Sequence, residues 1–121
     1  DIKLINGKYS LYSNNGKKKQ EITLQDALKK IEQINVGEIL LHDISKDGAG
    51  TGYNLELLEY VKKNTKKKII ILGGIGNYEQ FVEGAKLGAS GLAAANIWHF
   101  KELVDLNAKK KLHSEGISVR I

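Results

Sequence analysis

Apolar positions along the chain fall into runs of two periods. Behind Thr23, a residue suited to an N-cap with Asp26 three positions on, Leu24, Ala27, Leu28, Ile31 and Ile34 recur at helical spacing. Gly37 is expected to end that helix, and Glu38-Ile39-Leu40-Leu41 then reads as a short buried strand. A glycine-rich loop, Asp47-Gly48-Ala49-Gly50-Thr51-Gly52, leads to Asn54, the expected cap of a second helix. Glu56 and Glu59 suit its positive end, Lys62 and Lys63 its negative end, and Leu55, Leu58 and Val61 form its inner stripe. The pattern then recurs. Ile69-Ile70-Ile71-Leu72 is apolar at every position, as a strand covered on both faces should be. Gly73-Gly74-Ile75-Gly76 turns the chain, Asn77 with Gln80 caps a third helix carrying Phe81, Val82 and Ala85, and Gly88 stops it. Gly91 to Ala95 reads as a last strand, and a final helix is expected from about Lys101 to Glu115, ended by Gly116. Ahead of all this, Tyr9 to Tyr12 alternates weakly, as a hairpin arm before Asn14-Asn15-Gly16 would.

Strand, glycine loop, helix, strand is the pattern of parallel βαβ units with right-handed crossovers, so the expected class is α/β. A content of 41% hydrophobic and 27% charged residues excludes long-range disorder and a fibrous repeat. No apolar run approaches the roughly 18 residues that a membrane span needs, and no signal-peptide pattern opens the chain. The absence of cysteine removes disulfides, thiol nucleophiles and cysteine-ligated metals, and fits a reducing, cytoplasmic setting. There is no Met, so Asp1 is expected to follow a segment outside this chain. The 121 residues are otherwise the size of one domain, with no linker or low-complexity stretch.

Ligands of parallel α/β folds bind where strand ends meet helix N-termini. The residues that matter are therefore His42, Asp43 and Asp47-Gly48 after one strand, Gly73, Gly74 and Gly76 after the next, and Ala95 and Asn96 after the third. Glycines there let backbone N–H groups approach a phosphate; the plainer alternative is that they only make tight turns. The loops match neither the dinucleotide fingerprint nor the nucleotide-binding lysine loop. His42, His99 and His113 lack metal-ligand spacing; His99 and His113 suit surface or packing roles, while His42 ends a strand at the expected active face. The net charge of +5 comes mostly from Lys17-Lys18-Lys19, Lys66-Lys67-Lys68 and Lys109-Lys110-Lys111, expected in a turn, before a strand and near a helix end. They have no interleaved aromatics and read as solvated faces, not as a nucleic-acid site. Trp98 and Phe100 read as packing residues.

The run Gly37-Glu38-Ile39-Leu40-Leu41, Ile44-Ser45-Lys46-Asp47-Gly48 and Gly52-Tyr53-Asn54 closely resembles the cyclase subunit of imidazole glycerol phosphate synthase, whose pattern reads G-E-I-L-L-x-x-I-x-x-D-G-x-x-x-G-Y-D. Gly73-Gly74-Ile75-Gly76 is similar to the family's G-G-x-G. The stretch from Leu92 to Phe100 is similar to its L-A-A-S-x-F-H-F, and Gly116 to Arg120 to its G-x-x-V-R ending. The related isomerase of the same pathway shares the aspartate–glycine loop, but the H-F and V-R features favour the cyclase.

That resemblance implies a (βα)8 barrel of about 250 residues, of which residues 1–121 form the C-terminal half with strands six to eight. It implies a lyase in histidine biosynthesis, without metal or cofactor. There glutamine-derived ammonia attacks a phosphoribulosyl imidazolecarboxamide ribotide, giving imidazole glycerol phosphate and an aminoimidazole carboxamide ribotide. It implies that Asp1 is one of two acid–base aspartates, the other lying in the absent half. Asp47 matches a further active-face aspartate that orients substrate, and Lys3 a lysine beside the catalytic carboxylate, expected to bind substrate or its phosphate. Gly48, Gly73, Gly74, Ala95 and Asn96 match the phosphate site, and Glu38 a charged residue where ammonia enters from a glutaminase partner. The plain alternative for Glu38 is a strand-end salt bridge. His42 stands where the family usually has Thr or Asn, Leu72 where Ser commonly precedes G-G, and Asn96 where Ser is usual. Leu4 to Tyr9 with Asn15 to Lys18, beside His42, also resemble a paralogue that delivers ammonia for sugar amidation in surface-polysaccharide synthesis. A third expectation is a non-catalytic half-barrel that dimerises, or pairs with the missing half, through its open edge.

Overall fold

In the computed structural model, which describes residues 1–120, the chain builds two sheets of opposite kind. An antiparallel meander comes first, with β1 (Ile2–Ile5), β2 (Lys8–Ser13) and β3 (Lys18–Thr23) in that spatial order. A parallel sheet follows, β4 (Glu38–His42), β5 (Lys68–Leu72) and β6 (Gly91–Ala93), again in sequence order. Helix α1 (Leu24–Gln33) links the sheets, α2 (Leu55–Asn64) and α3 (Tyr78–Lys86) are the crossovers, and α4 (Val104–Ser114) closes the described chain. Register is in step throughout the parallel sheet, from Glu38 beside Lys68 to His42 beside Leu72, and from Ile70 beside Gly91 to Leu72 beside Ala93. The α/β class and parallel pairing agree with the sequence pattern.

The starts of α1, α2 and α3 form at the side chains that suit them. Thr23 Oγ1 accepts from the Asp26 N–H at 3.1 Å, and Asn54 Oδ1 from the Leu57 N–H at 3.0 Å. Asn77 and Gln80 complete a reciprocal capping box. Each such cap satisfies an otherwise orphaned backbone donor, worth about 1 kcal/mol.

Several expectations need correction. The hairpin is a three-stranded meander, because Asn6 and Gly7 make a second left-handed turn that folds Ile2–Ile5 onto β2. Lys18 and Lys19 lie in β3 opposite Ser13 and Tyr12, not in a turn; the turn ends one residue earlier, where the Lys17 N–H bonds the Asn14 carbonyl. Helix α1 stops at Gln33, since Ile34 is already extended (φ −108°, ψ 153°). The last strand ends at Ala93, a 3-10 turn occupies Asn96–His99, and α4 begins only at Val104 because Leu103 takes a left-handed φ of 47°. In α2, Leu57 with Leu58 and Val61 makes the fully buried stripe, while Leu55 packs at its margin.

One core joins the elements. Leu41, Ile69 and Ile71 from the strands meet Leu28, Leu57, Leu58, Val61, Phe81 and Val82 from the helices. Strand side chains alternate between faces, so Leu40, Ile70 and Leu72 point the other way. That second face is open: Leu40 is 58% exposed. Parallel sheets are ordinarily covered on both faces, and this one is covered on one. No helix among the described residues is long and apolar enough to cross a membrane.

Candidate functional site

The meander meets the site first at the end of β4. Ile2 forms a parallel bridge with Asp43, and the Ile44 N–H bonds the Ile2 carbonyl at 2.9 Å. The Tyr12 N–H holds the Asp1 carbonyl at 2.9 Å from the other side. Asp1 is thereby fixed at the carboxyl end of β4, far in sequence from the loop it adjoins.

Asp43 anchors that loop. The residue is 2% exposed, and its carboxylate accepts from the Ser45 N–H at 3.0 Å, from the Ser45 hydroxyl and from Asn54 Nδ2 at 2.6 Å. Asn54 also caps α2, so one buried carboxylate ties the strand end, its turn and the next helix together. Tyr9 extends the network, its hydroxyl 3.5 Å from Asn54 Oδ1, and partial burial raises the pKa of its phenol. Sequence reasoning noted the position of Asp43 but gave it no role. The Asp-x-Ser spacing directly after an apolar strand is the Asx-turn signal that would have found it.

The glycine loops after β4 and β5 form a seam of backbone on backbone. The Gly52 N–H bonds the Gly74 carbonyl at 2.8 Å. Gln80 staples the seam: its Oε1 accepts from the Gly76 and Asn77 N–H groups at 2.7 and 3.2 Å, and its Nε2 donates to the Gly50 carbonyl at 3.0 Å. At Gly73 (φ 110°) a Cβ would stand 2.6 Å from the Asp43 carbonyl oxygen, and at Gly74 (φ 100°) 2.1 Å from that of Gly52. Glycine is required at both for close approach and for the left-handed backbone.

Above this seam the acidic residues converge. His42 Nδ1 lies 3.3 Å from Asp1 Oδ1, and His42 Nε2 lies 3.4 Å from Asp47 Oδ2. Nε2 is shut off from solvent, and Asp47 approaches it at ion-pair distance without an aligned hydrogen bond. Asp47, Gly48, Ala95 and Asn96 line one cavity of about 320 Å³, and His99, exposed as expected of a surface residue, completes its wall. Lys3 stands apart from that cavity: its Nζ donates to the Gly16 carbonyl at 3.2 Å and lies 4.7 Å from the Tyr12 ring centroid. Glu38 begins β4 at the opposite end of the sheet, beside Lys68 in register. Among the described residues no cluster of three or more His, Asp or Glu has the arrangement of a metal site.

Tyr53 ties the β4 loop to the far strand of the sheet. Its ring packs edge-on to Phe81, and its hydroxyl donates to the Ala93 carbonyl at 2.9 Å, joining the β4 loop to the end of β6. Burial holds its phenol well above the ordinary 10.0. A raised folded-state pKa favours the neutral phenol in the folded chain. Its contribution is whole below pH 10.0 and is lost as pH rises above that value, where the unfolded chain ionises first. In a tyrosinate absorbance titration, Tyr53 is expected to be the latest of the five tyrosines to ionise. Tyr53→Phe should abolish that latest step, and an unchanged titration would contradict this assignment.

Comparison with known proteins bears on what this arrangement belongs to. The chain is 36% identical over 121 residues to imidazole glycerol phosphate synthase subunit HisF of Thermotoga sp. (strain RQ2), covering 100% of this chain and 48% of that protein. It is 34% identical over 122 residues to the same subunit of Chlorobaculum tepidum, covering 100% and 49%. A putative imidazole glycerol phosphate synthase subunit hisF2 of Vibrio vulnificus is 35% identical over 114 residues, covering 93% and 42%. The chain thus spans about half the length of the curated relatives it matches. Among solved structures, the Amycolatopsis orientalis BexX/CysO complex contains a chain of similar fold, with a TM-score of 0.55 at 16% identity over 80% of this chain and 43% of that one. The family described as histidine biosynthesis protein matches residues 1–104, and the chain belongs to that family.

Proposed function

We propose that the chain is the C-terminal half, strands six to eight, of a (βα)8 cyclase barrel that uses glutamine-derived ammonia. Its substrate is a phosphoribulosyl imidazolecarboxamide ribotide, cleaved and closed to imidazole glycerol phosphate and an aminoimidazole carboxamide ribotide. The observation that carries this reading is the convergence of Asp1 and Asp47 on His42 at the carboxyl end of β4, with Asp47 also lining the cavity of Gly48, Ala95 and Asn96. Asp1 exchanges protons with the reacting centre in concert with an aspartate of the other half, since paired carboxylates can hold opposite protonation states. Asp47 orients the substrate. Gly48, Ala95 and Asn96 receive one phosphate, above the seam built by Gly73 and Gly74, while Lys3 secures the hairpin beside Asp1. Glu38, at the far mouth of the sheet, guides ammonia from a glutaminase subunit. The setting is cytoplasmic.

The full-length protein is expected to restore growth of a histidine auxotroph that lacks the cyclase. Failure of a well-expressed protein to do so would favour the sugar-amidation paralogue. His42, in a position where the family usually carries Thr or Asn, supports that second reading.

The open sheet face supports the half-barrel assignment independently. With Leu40 exposed beside Ile70 and Leu72, residues 1–121 alone should be inactive and should bury this face against a second copy or the complementary half. Analytical ultracentrifugation is expected to find a dimer or larger species, converted to a one-to-one complex by the N-terminal half. A well-folded monomer would contradict it.

A further inference from the structure

His42 occupies the last position of β4, and its ring is interposed between carboxylates from distant parts of the chain. Asp1 arrives through the bridge between Ile2 and Asp43, and Asp47 through the loop that Asp43 anchors. The third neighbour is Gly73, where a Cβ would stand 3.4 Å from His42 Cδ2, so the ring is packed against backbone on that side. Its side chain is 19% exposed.

A neutral imidazole carries one N–H and one lone pair, whereas the doubly protonated ring donates from both nitrogens. Here each nitrogen faces one carboxylate oxygen, at 3.3 and 3.4 Å. Either neutral tautomer would set a lone pair against one of them. The imidazolium can donate to Asp1 and turns its second N–H toward Asp47 at ion-pair distance, and its charge offsets the repulsion between two carboxylates that share a site. The longer, poorly aligned contact at Nε2 is of the kind that tightens when a ligand closes the site.

We propose that His42 is the positioning residue of this site, a cationic clamp that fixes Asp1 and Asp47 relative to one another through one N–H to each. This role rests on the assignment of Asp1 and Asp47 to the reacting site made above. His42 acts through those carboxylates and does not itself exchange protons with substrate.

Two measurements on the full-length protein test it. In steady-state turnover with ammonia and the ribotide, His42→Ala should lower kcat by about tenfold or more with KM held within about twofold, and His42→Gln, which keeps one N–H donor, should recover part of the loss. The double variant His42→Ala/Asp47→Asn should lose clearly less than the product of the two single losses, because both substitutions remove the same His42–Asp47 contact. Fully multiplicative losses, or a change in KM alone, would overturn the clamp. The second measurement needs no turnover. With isotope-labelled histidine, NMR should show two slowly exchanging ring N–H signals that vanish in His42→Gln. Asp1→Ala should release the Nδ1 proton to fast exchange, and Asp47→Ala the Nε2 proton. Fast exchange at both nitrogens in the wild-type protein, or indifference to either substitution, would overturn the clamp even if the enzyme turns over. The protected signals without turnover would instead sink the cyclase reading and leave the clamp standing.

Discussion

Asp1→Asn in the full-length protein is expected to lower cyclase turnover by roughly 10²–10⁴-fold, the range typical of a lost general acid–base group. The amide retains the size of the carboxylate and one acceptor oxygen, but it can neither take nor give a proton at neutral pH. Its backbone is held independently of its side chain, through the Tyr12 N–H and the neighbouring Ile2–Asp43 bridge, so the substitution leaves the junction intact. Gly48, Ala95 and Asn96 lie on the cavity and not on Asp1, so calorimetric affinity for imidazole glycerol phosphate should stay within a few-fold of the unsubstituted protein. Retained turnover would remove Asp1 from acid–base chemistry. Lost affinity together with lost turnover would make it a binding residue.

Gly74→Ala should be the most damaging single-methyl change in the chain. The added Cβ would stand 2.1 Å from the Gly52 carbonyl oxygen, at a backbone φ of 100° that side chains rarely adopt. Backbone, not a flexible side chain, stands in the way, so the loops must part and the Gly52–Gly74 hydrogen bond with them. Overpacking, strain and a lost buried bond together place the cost at about 3 kcal/mol or more. Gly37→Ala is the matched control, with open space around its Cβ and no left-handed φ, and should change stability by no more than about 0.5 kcal/mol. Denaturant unfolding of the two variants checks the contrast, and equal midpoints would refute the seam.

Elements whose signals are local could be read before the structure. Thr23, Asn54 and Asn77 each carry their own cap partner within three residues, and the apolar runs of β4 and β5 need no distant neighbour to be recognised. Misread elements depended on pairing or backbone geometry. β3 is lysine-rich and half solvated, so nothing in its own composition marks a strand; only β2 does. The delayed start of α4 turns on a left-handed leucine, which no residue preference foretells. The candidate site divides in the same way. Asp47, Gly48, Ala95 and Asn96 follow directly from strand ends in a parallel α/β pattern, and they share a cavity. The pairing of Asp1 with His42 was hidden, because it depends on a bridge between residues 2 and 43. Gln80 was legible as a cap but not as the staple to Gly50, a contact across 30 positions.

The most direct measurement is product formation by the full-length protein supplied with ammonia and the phosphoribulosyl imidazolecarboxamide ribotide. Stoichiometric imidazole glycerol phosphate and aminoimidazole carboxamide ribotide are expected, with both products lost in Asp1→Asn. A folded full-length protein that binds the ribotide and releases neither product would contradict the assignment of this half-barrel to ammonia-dependent cyclisation.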